Sequence, residues 1–160
     1  MGEIVREYAI DKTASGFVNT MKKMGDDIRT DLEKIMKNVS EKTFASILAN
    51  SPVDKGNYMA SNRMSAGTER TDAFEGDFGG KRKSMARTQA GIDYAKRESA
   101  DFGWKLGDDG VWFSNNVGHA VDVEDGGPRW TETSAYKVYD HAQRKMENVY
   151  IPQEVAKVGL

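Results

Sequence analysis

The chain reads as one α+β domain with a long N-terminal amphipathic helix, a small, mostly antiparallel sheet containing a hairpin, and a C-terminal helix. Three observations predict it. Apolar residues recur at three- and four-residue steps from Phe17 to Leu48. Pro52 breaks that pattern, and a looser alternation takes over. Further on, Gly107-Asp-Asp-Gly110 separates two short runs rich in aromatic residues. A length of 160 residues suits a single domain spanning 1–160.

Residues 1–14 read as an arm or a first strand, mixed in character (Met1-Gly-Glu-Ile-Val-Arg-Glu-Tyr). The helix is expected from about Ser15 to Asn50. Phe17, Met21, Met24, Ile28, Leu32, Ile35, Val39, Ile47 and Leu48 form one stripe, with Lys, Asp and Glu opposite. Thr13 or Ser15 can cap its start, and Pro52 stops it by disfavouring the α conformation at Ser51. Gly25 is its weak point and could split it. Such a stripe packs a core, or packs partly on another subunit.

Tyr58 to Ser65 is predicted as a strand with Tyr58, Ala60, Asn62 and Met64 on one side. Residues 66–83 form a long, flexible polar loop whose basic tip is Lys81-Arg82-Lys83, with Arg87 nearby. A modest helix follows from Ser84 to about Ser99. Phe102–Leu106 and Val111–Ser114 are the two strands of the expected hairpin. Helical spacing returns from Ser134 to about Tyr150 and ends at Pro152, so 151–160 reads as a tail.

Composition narrows the chemistry. Net charge is −2, from 23 basic and 25 acidic residues, so no global field gathers nucleic acid. No cysteine is present, which excludes disulfides and thiolate metal sites. The first residues lack the apolar run of a signal peptide, and no stretch is apolar enough to span a membrane. A cytoplasmic origin is expected. Gly79-Gly80-Lys81 fails as a phosphate loop, because Glu75 and Arg82 stand where glycine and Ser or Thr are needed. His119, Asp122, Glu124 and Asp125 lie close together but diverge whether the segment is extended or helical. We expect no catalytic residue, no metal and no cofactor. The basic residues Lys81, Arg82, Lys83 and Arg87 are either solvated or contact DNA phosphates or an acidic partner.

Two stretches remain: Ser51-Pro-Val-Asp-Lys-Gly-Asn-Tyr-Met-Ala-Ser61 and Val111-Trp-Phe-Ser-Asn-Asn-Val-Gly-His-Ala-Val-Asp-Val-Glu-Asp-Gly-Gly127. On physics alone they are corners. Pro52 fixes φ, Val53 can plug the helix end, Asp54 can accept backbone N–H bonds and Gly56 permits a left-handed turn. Asn115-Asn116 suits a strand end. In order and separation they resemble the neck, or tail-completion, proteins of long-tailed phages, similar to the minor tail protein Z family. Those carry Ser-Pro-Val-Asp-Thr-Gly-x-Leu-x-x-Ser, then a strand leading to Asn-x-x-Pro-Tyr-Ala and a Glu shortly before Gly. Pro52, Val53, Asp54, Gly56 and Ser61 match, as do Asn115 or Asn116, Ala120, Glu124 and Gly126. Lys55, Tyr58, Met59 and Gly118-His119 depart from the pattern.

The resemblance implies a structural subunit of a homo-oligomeric, hexameric ring at the head–tail junction of a virion, assembled in the host cytoplasm. Its partners would be neighbouring neck, tail-terminator or tail-tube proteins, with DNA passing through the lumen. The exposed aromatics expected from the sequence, Trp104, Trp112 and Trp130, would serve that assembly. The rival readings are another neck component (adaptor, stopper or tail terminator), a small DNA-binding or nuclease accessory protein, and a cytosolic interaction domain.

Overall fold

A computed structural model describes residues 13–126 and 135–159. Helix α1 (Ala14–Asn50) runs 37 residues without interruption, about 55 Å at 1.5 Å per residue. The Thr13 hydroxyl accepts from the Gly16 N–H at 3.1 Å and caps its start. Ser51 ends it in an extended conformation, φ −69° and ψ 131°, as a residue before proline should. Gly25 does not split the helix.

A helical turn, α2 (Asn57–Ala60), precedes β1 (Asn62–Ala66). The strand expected from Tyr58 therefore starts four residues late. Gly56 at φ 90° turns the chain into a helical turn closed by Ala60 N–H to Gly56 O and Ser61 N–H to Asn57 O, each 2.9 Å. Tyr58 and Met59 are thereby sent into two different clusters. Helix α3 (Met85–Glu98) forms as expected, with Ser84 as its N-cap.

The hairpin expected across 107–110 does not form among the described residues. Strand β2 (Val111–Asn115) pairs antiparallel with β1 instead, Asn62 opposite Asn115 and Ala66 opposite Val111. Phe102 packs against the cluster of Phe44, Leu48, Met59, Met64 and Ala95. Glu33 of α1 holds the next residues, accepting from Leu106 N–H at 3.3 Å and from the Lys105 ammonium at 3.4 Å. Those tertiary contacts take 102–106 away from β2, and the described sheet has two strands.

After α4 (Ala120–Asp125) the chain reaches a C-terminal helix made of α5 (Val138–Lys145), a π-helical turn (Met146–Tyr150) and α6 (Ile151–Val158). Pro152 does not end it, so 151–158 is helix rather than tail. An α-helical register would press the proline ring onto the carbonyl four residues back. The turn widens, and the Ile151 N–H bonds to Met146 O. The helix runs back along α1: α5 meets the Ile47 cluster, and Glu154 reaches Asn38 and Lys42.

Only the second half of α1 lies in the core. Ile35, Val39, Phe44, Ile47 and Leu48 are buried, whereas Phe17, Val18, Met21 and Ile28 are 50%, 63%, 51% and 48% exposed. Trp112 is exposed, Trp104 is half-buried, and Trp130 falls outside the described residues.

Glu154 accepts from Asn38 Nδ2 at 2.8 Å and from the ammonium groups of Lys42 and Lys157 at 2.6 Å each. Its carboxylate is covered by these flexible partners rather than by apolar core. The Lys157, Lys42 and Asn38 hydrogen bonds lower its pKa from 4.5 to about 2. A depressed folded pKa stabilises the fold above the unfolded value and loses that contribution as pH falls from 4.5 towards 2. After screening by water around half-exposed lysines, the contribution is on the order of 1 kcal/mol. Glu154→Gln should therefore differ from the parent by about that much at pH 6, with the gap closing by pH 2. Chemical denaturation across that range checks it; a pH-independent gap would contradict it.

Candidate functional site

The two motif stretches meet on one buried hydrogen-bond hub. Asn62, fully buried, lies one residue past the first motif. Its Nδ2 donates to Ser51 Oγ (3.1 Å), Tyr58 O (3.2 Å) and Met59 O (3.0 Å). Its Oδ1 accepts from Asn115 Nδ2 (3.1 Å) and from the Tyr139 hydroxyl (2.9 Å). Asn115 Nδ2 also donates to Tyr58 O at 2.8 Å, and its Oδ1 accepts from Val117 N–H at 3.3 Å. Glu124 closes the circuit by accepting from the Tyr58 hydroxyl at 2.5 Å and the Tyr139 N–H at 3.2 Å. Helix end, corner, strand end, α4 and α5 are thus joined through six side chains, those of Ser51, Tyr58, Asn62, Asn115, Glu124 and Tyr139.

The protonation states suit this. Burial, and then the hydrogen bond to Glu124, push the Tyr58 phenol far above its ordinary range. Burial and the Glu124 charge do the same to Tyr139. Both phenols remain donors at any ordinary pH.

Every other motif residue has an identifiable structural task. Val53 packs on the Phe44 cluster and Ala120 on the Ile47 cluster. Ser61 Oγ accepts from Phe74 N–H at 2.9 Å. Asn116 Nδ2 donates to Arg70 O at 2.9 Å. Gly126 closes α4 at φ 73°. Pro52, Asp54 and Gly56 line an open cleft of about 510 Å³ together with Tyr58, Phe74, Arg82 and His119. The Oδ1 of Asn57, also on this cleft, is buried without a hydrogen bond.

The polar loop is irregular but anchored. Phe74 stacks on Phe78 at 4.5 Å between ring centres and meets Tyr94 edge-on at 4.7 Å. Buried Arg63 donates to Asp72 (2.7 Å) and to Ala60 O (2.5 Å), and lies over the Tyr94 ring. Burial opposes ionisation of Asp72, but bonds from Arg63 and Arg70 outweigh it and hold the carboxyl below its usual range. Among the basic residues, Arg82 Nε donates to Asp54 at 2.7 Å, and that bond chiefly keeps the Asp54 carboxyl low. Arg87 is buried, donating to Lys55 O at 3.1 Å and Gly80 O at 2.8 Å, and so braces the corner against the loop. Lys81 and Lys83 are exposed.

No group of three or more His, Asp or Glu residues able to hold a metal ion occurs among the described residues. His119 precedes α4 and leans on the Tyr58 ring, while Glu124 faces the tyrosines. Asn62, Arg63, Tyr139 and Glu154 were not singled out from sequence. Asn62 did carry a signal, as the one polar residue on the side shared by Tyr58, Ala60 and Met64. The chain matches no protein-family model, no curated protein and no solved structure.

Two substitutions probe the hub and the corner. Asn62→Ala strands several buried groups and should destabilise by about 3 kcal/mol, measured by denaturant unfolding. At Gly56 a Cβ would sit at φ 90°, 3.0 Å from Phe78 Cδ2. Gly56→Val should destabilise by about 2 kcal/mol, whereas Lys55→Ala and Asn57→Ala should each stay within about 0.5 kcal/mol of the parent. Equal stability of all three would mean the left-handed turn is not a constraint.

Proposed function

We propose that this chain is a structural subunit of a phage head–tail junction, a neck or tail-completion ring that lets a tail attach to a DNA-filled head. One observation carries the reading: the two stretches that resemble the tail-completion pattern converge on a single hydrogen-bonded joint. In a catalyst, singled-out polar residues would be expected to gather around a reacting atom. Here they set the angles between helix, corner, strand and α4.

The bare first half of α1 supports the assembly part of the reading. A stripe of Phe17, Val18, Met21 and Ile28 half in water is costly for an isolated monomer and natural for a subunit that packs against neighbours. The work of such a part is mechanical: complementary surfaces above and below, a lumen for DNA, and a rigid joint between them. In this reading the exposed Lys81 of the loop is the cation that would meet DNA or an acidic ring.

In a phage that encodes this chain, removing it should leave heads filled and tail tubes polymerised but the two unjoined, or joined without DNA delivery. Electron microscopy of the mutant lysate checks this. Empty or unformed heads would move the protein upstream to portal or capsid assembly and overturn the proposal.

A further inference from the structure

Three lysines and an unpaired indole N–H line one pocket beside α1. The pocket, about 380 Å³, lies between α1 and the segment that follows α3, lined by Glu33, Lys34, Lys37, Phe102, Trp104 and Lys105. Its volume is that of a small-ligand site. Helical spacing sets Lys34 and Lys37 side by side, on the face of α1 turned away from Met21 and Ile28. Lys105 is brought to them by the contacts that fix its segment: Glu33 accepts from its ammonium at 3.4 Å and from Leu106 N–H at 3.3 Å. Glu41 meets Lys37 only at 3.8 Å, and both side chains are well exposed, so that pair is weak. Lys34 pairs with no carboxylate among the described residues. Three lysines against one glutamate leave this lining two charges positive, in a chain whose net charge is −2.

Trp104 adds the second observation. The side chain is half-buried, and its Nε1 is buried with no hydrogen-bond partner. An indole N–H can only donate, and a buried donor without an acceptor is rare in a folded chain because its lost hydration is not replaced. Ammonium groups and a neutral N–H around one space call for an oxyanion. Phosphate suits them better than carboxylate. Lysine acts on phosphate oxygens as a point charge, whereas a planar carboxylate is matched by the two-pronged arginine fork. No arginine is among the described residues that line the pocket.

We propose that this pocket holds a phosphate of a DNA backbone, with the ammonium groups of Lys34, Lys37 and Lys105 meeting its charge and Trp104 Nε1 donating to one of its oxygens. The contact is to phosphate and not to bases. Phe102 packs on the Phe44 cluster rather than standing clear as a stacking platform, and a contact of this kind positions a duplex without reading its sequence. The inference goes beyond the head–tail reading. It would give a passage for DNA a formed contact besides the loop tip, but the site lies within one chain and needs neither ring nor virion. Because these lysines of α1 lie opposite its apolar stripe, one copy can meet DNA on one side and a neighbouring copy on the other.

The Trp104 indole proton reports the site directly in nitrogen-labelled full-length protein, its resonance assigned by its loss in Trp104→Phe. Titration with inorganic phosphate, and separately with a short mixed-sequence duplex DNA, should shift that resonance saturably while the Trp112 indole holds its position. Sodium chloride at matched ionic strength should not. Lys34 and Lys37 are exposed, so changing them spares the fold. Lys34→Gln with Lys37→Gln should weaken duplex binding about tenfold and lower the slope of log affinity against log salt by roughly 2, about one for each lysine. Lys81→Gln should leave both unchanged. A response to phosphate with none to DNA would overturn the backbone assignment, showing a small-anion pocket instead. No saturable shift with either, an equal shift with chloride, equal binding of polyglutamate, or full affinity in the double lysine variant would overturn the proposal outright. Those failures would leave the head–tail reading standing; intact head–tail joining in a phage lacking the chain would remove that reading and leave the pocket untouched.

Discussion

The buried carboxamide of Asn62 is the constraint on which the rest of the structure depends. A side-chain amide taken out of water costs about 1–3 kcal/mol for each group left unpaired. Here both its nitrogen and its oxygen are partnered, by Ser51, Tyr58, Met59, Asn115 and Tyr139. Those partners sit on the end of α1, the α2 turn, the end of β2 and the start of α5. None can move far without stranding a polar group in the core, so the hub acts as an angular lock. Glu124 extends the lock to α4.

Around this hub the chain pairs its buried arginines, with Arg87 Nε alone of their nitrogens left buried without a hydrogen bond among the described residues. Arg63 and Arg87 are both buried, and both donate to backbone carbonyls as well as to a carboxylate. Their role is to hold a long loop that has little apolar content of its own. Arg63 joins it to β1 through Asp72, and Arg87 joins it to the corner through Lys55 and Gly80. Phe74 and Phe78 supply the apolar component by stacking beside Tyr94. Glu154 does the equivalent for the C-terminal helix on α1. The cleft beside Pro52 and Gly56 is walled by the corner, the α2 turn, the loop at Phe74 and Arg82, and the segment before α4.

Much of this could be read from sequence where local physics decides. The long helix, its stop at Ser51, the helix after Ser84 and the left-handed Gly56 all follow from residues close to the feature. Sequence and structure part where distant contacts override local preference. Tyr58 and Met59 alternate like a strand, yet each is drawn to a different cluster, so the backbone coils. Gly107–Gly110 turns as its residues require, but Phe102 and Glu33 claim the preceding segment and β1 claims the following one. Pro152 normally ends a helix; here packing on α1 continues through it by widening one turn. The hub is half legible: its motif members read as corners, but Asn62 and Tyr139 are joined by a contact that no local pattern encodes.

A joint of this design suits a part that must transmit position rather than transform a substrate, and that is the sense in which the proposed role and the geometry agree. The most direct test of the account is a double-mutant cycle across the two motifs, Tyr58→Phe with Glu124→Gln, by equilibrium unfolding. If the motifs form one locked unit, the pair should show a coupling energy of about 1 kcal/mol or more. Strict additivity of the two changes would contradict it, because the corner and α4 would then be neighbours without being a joint.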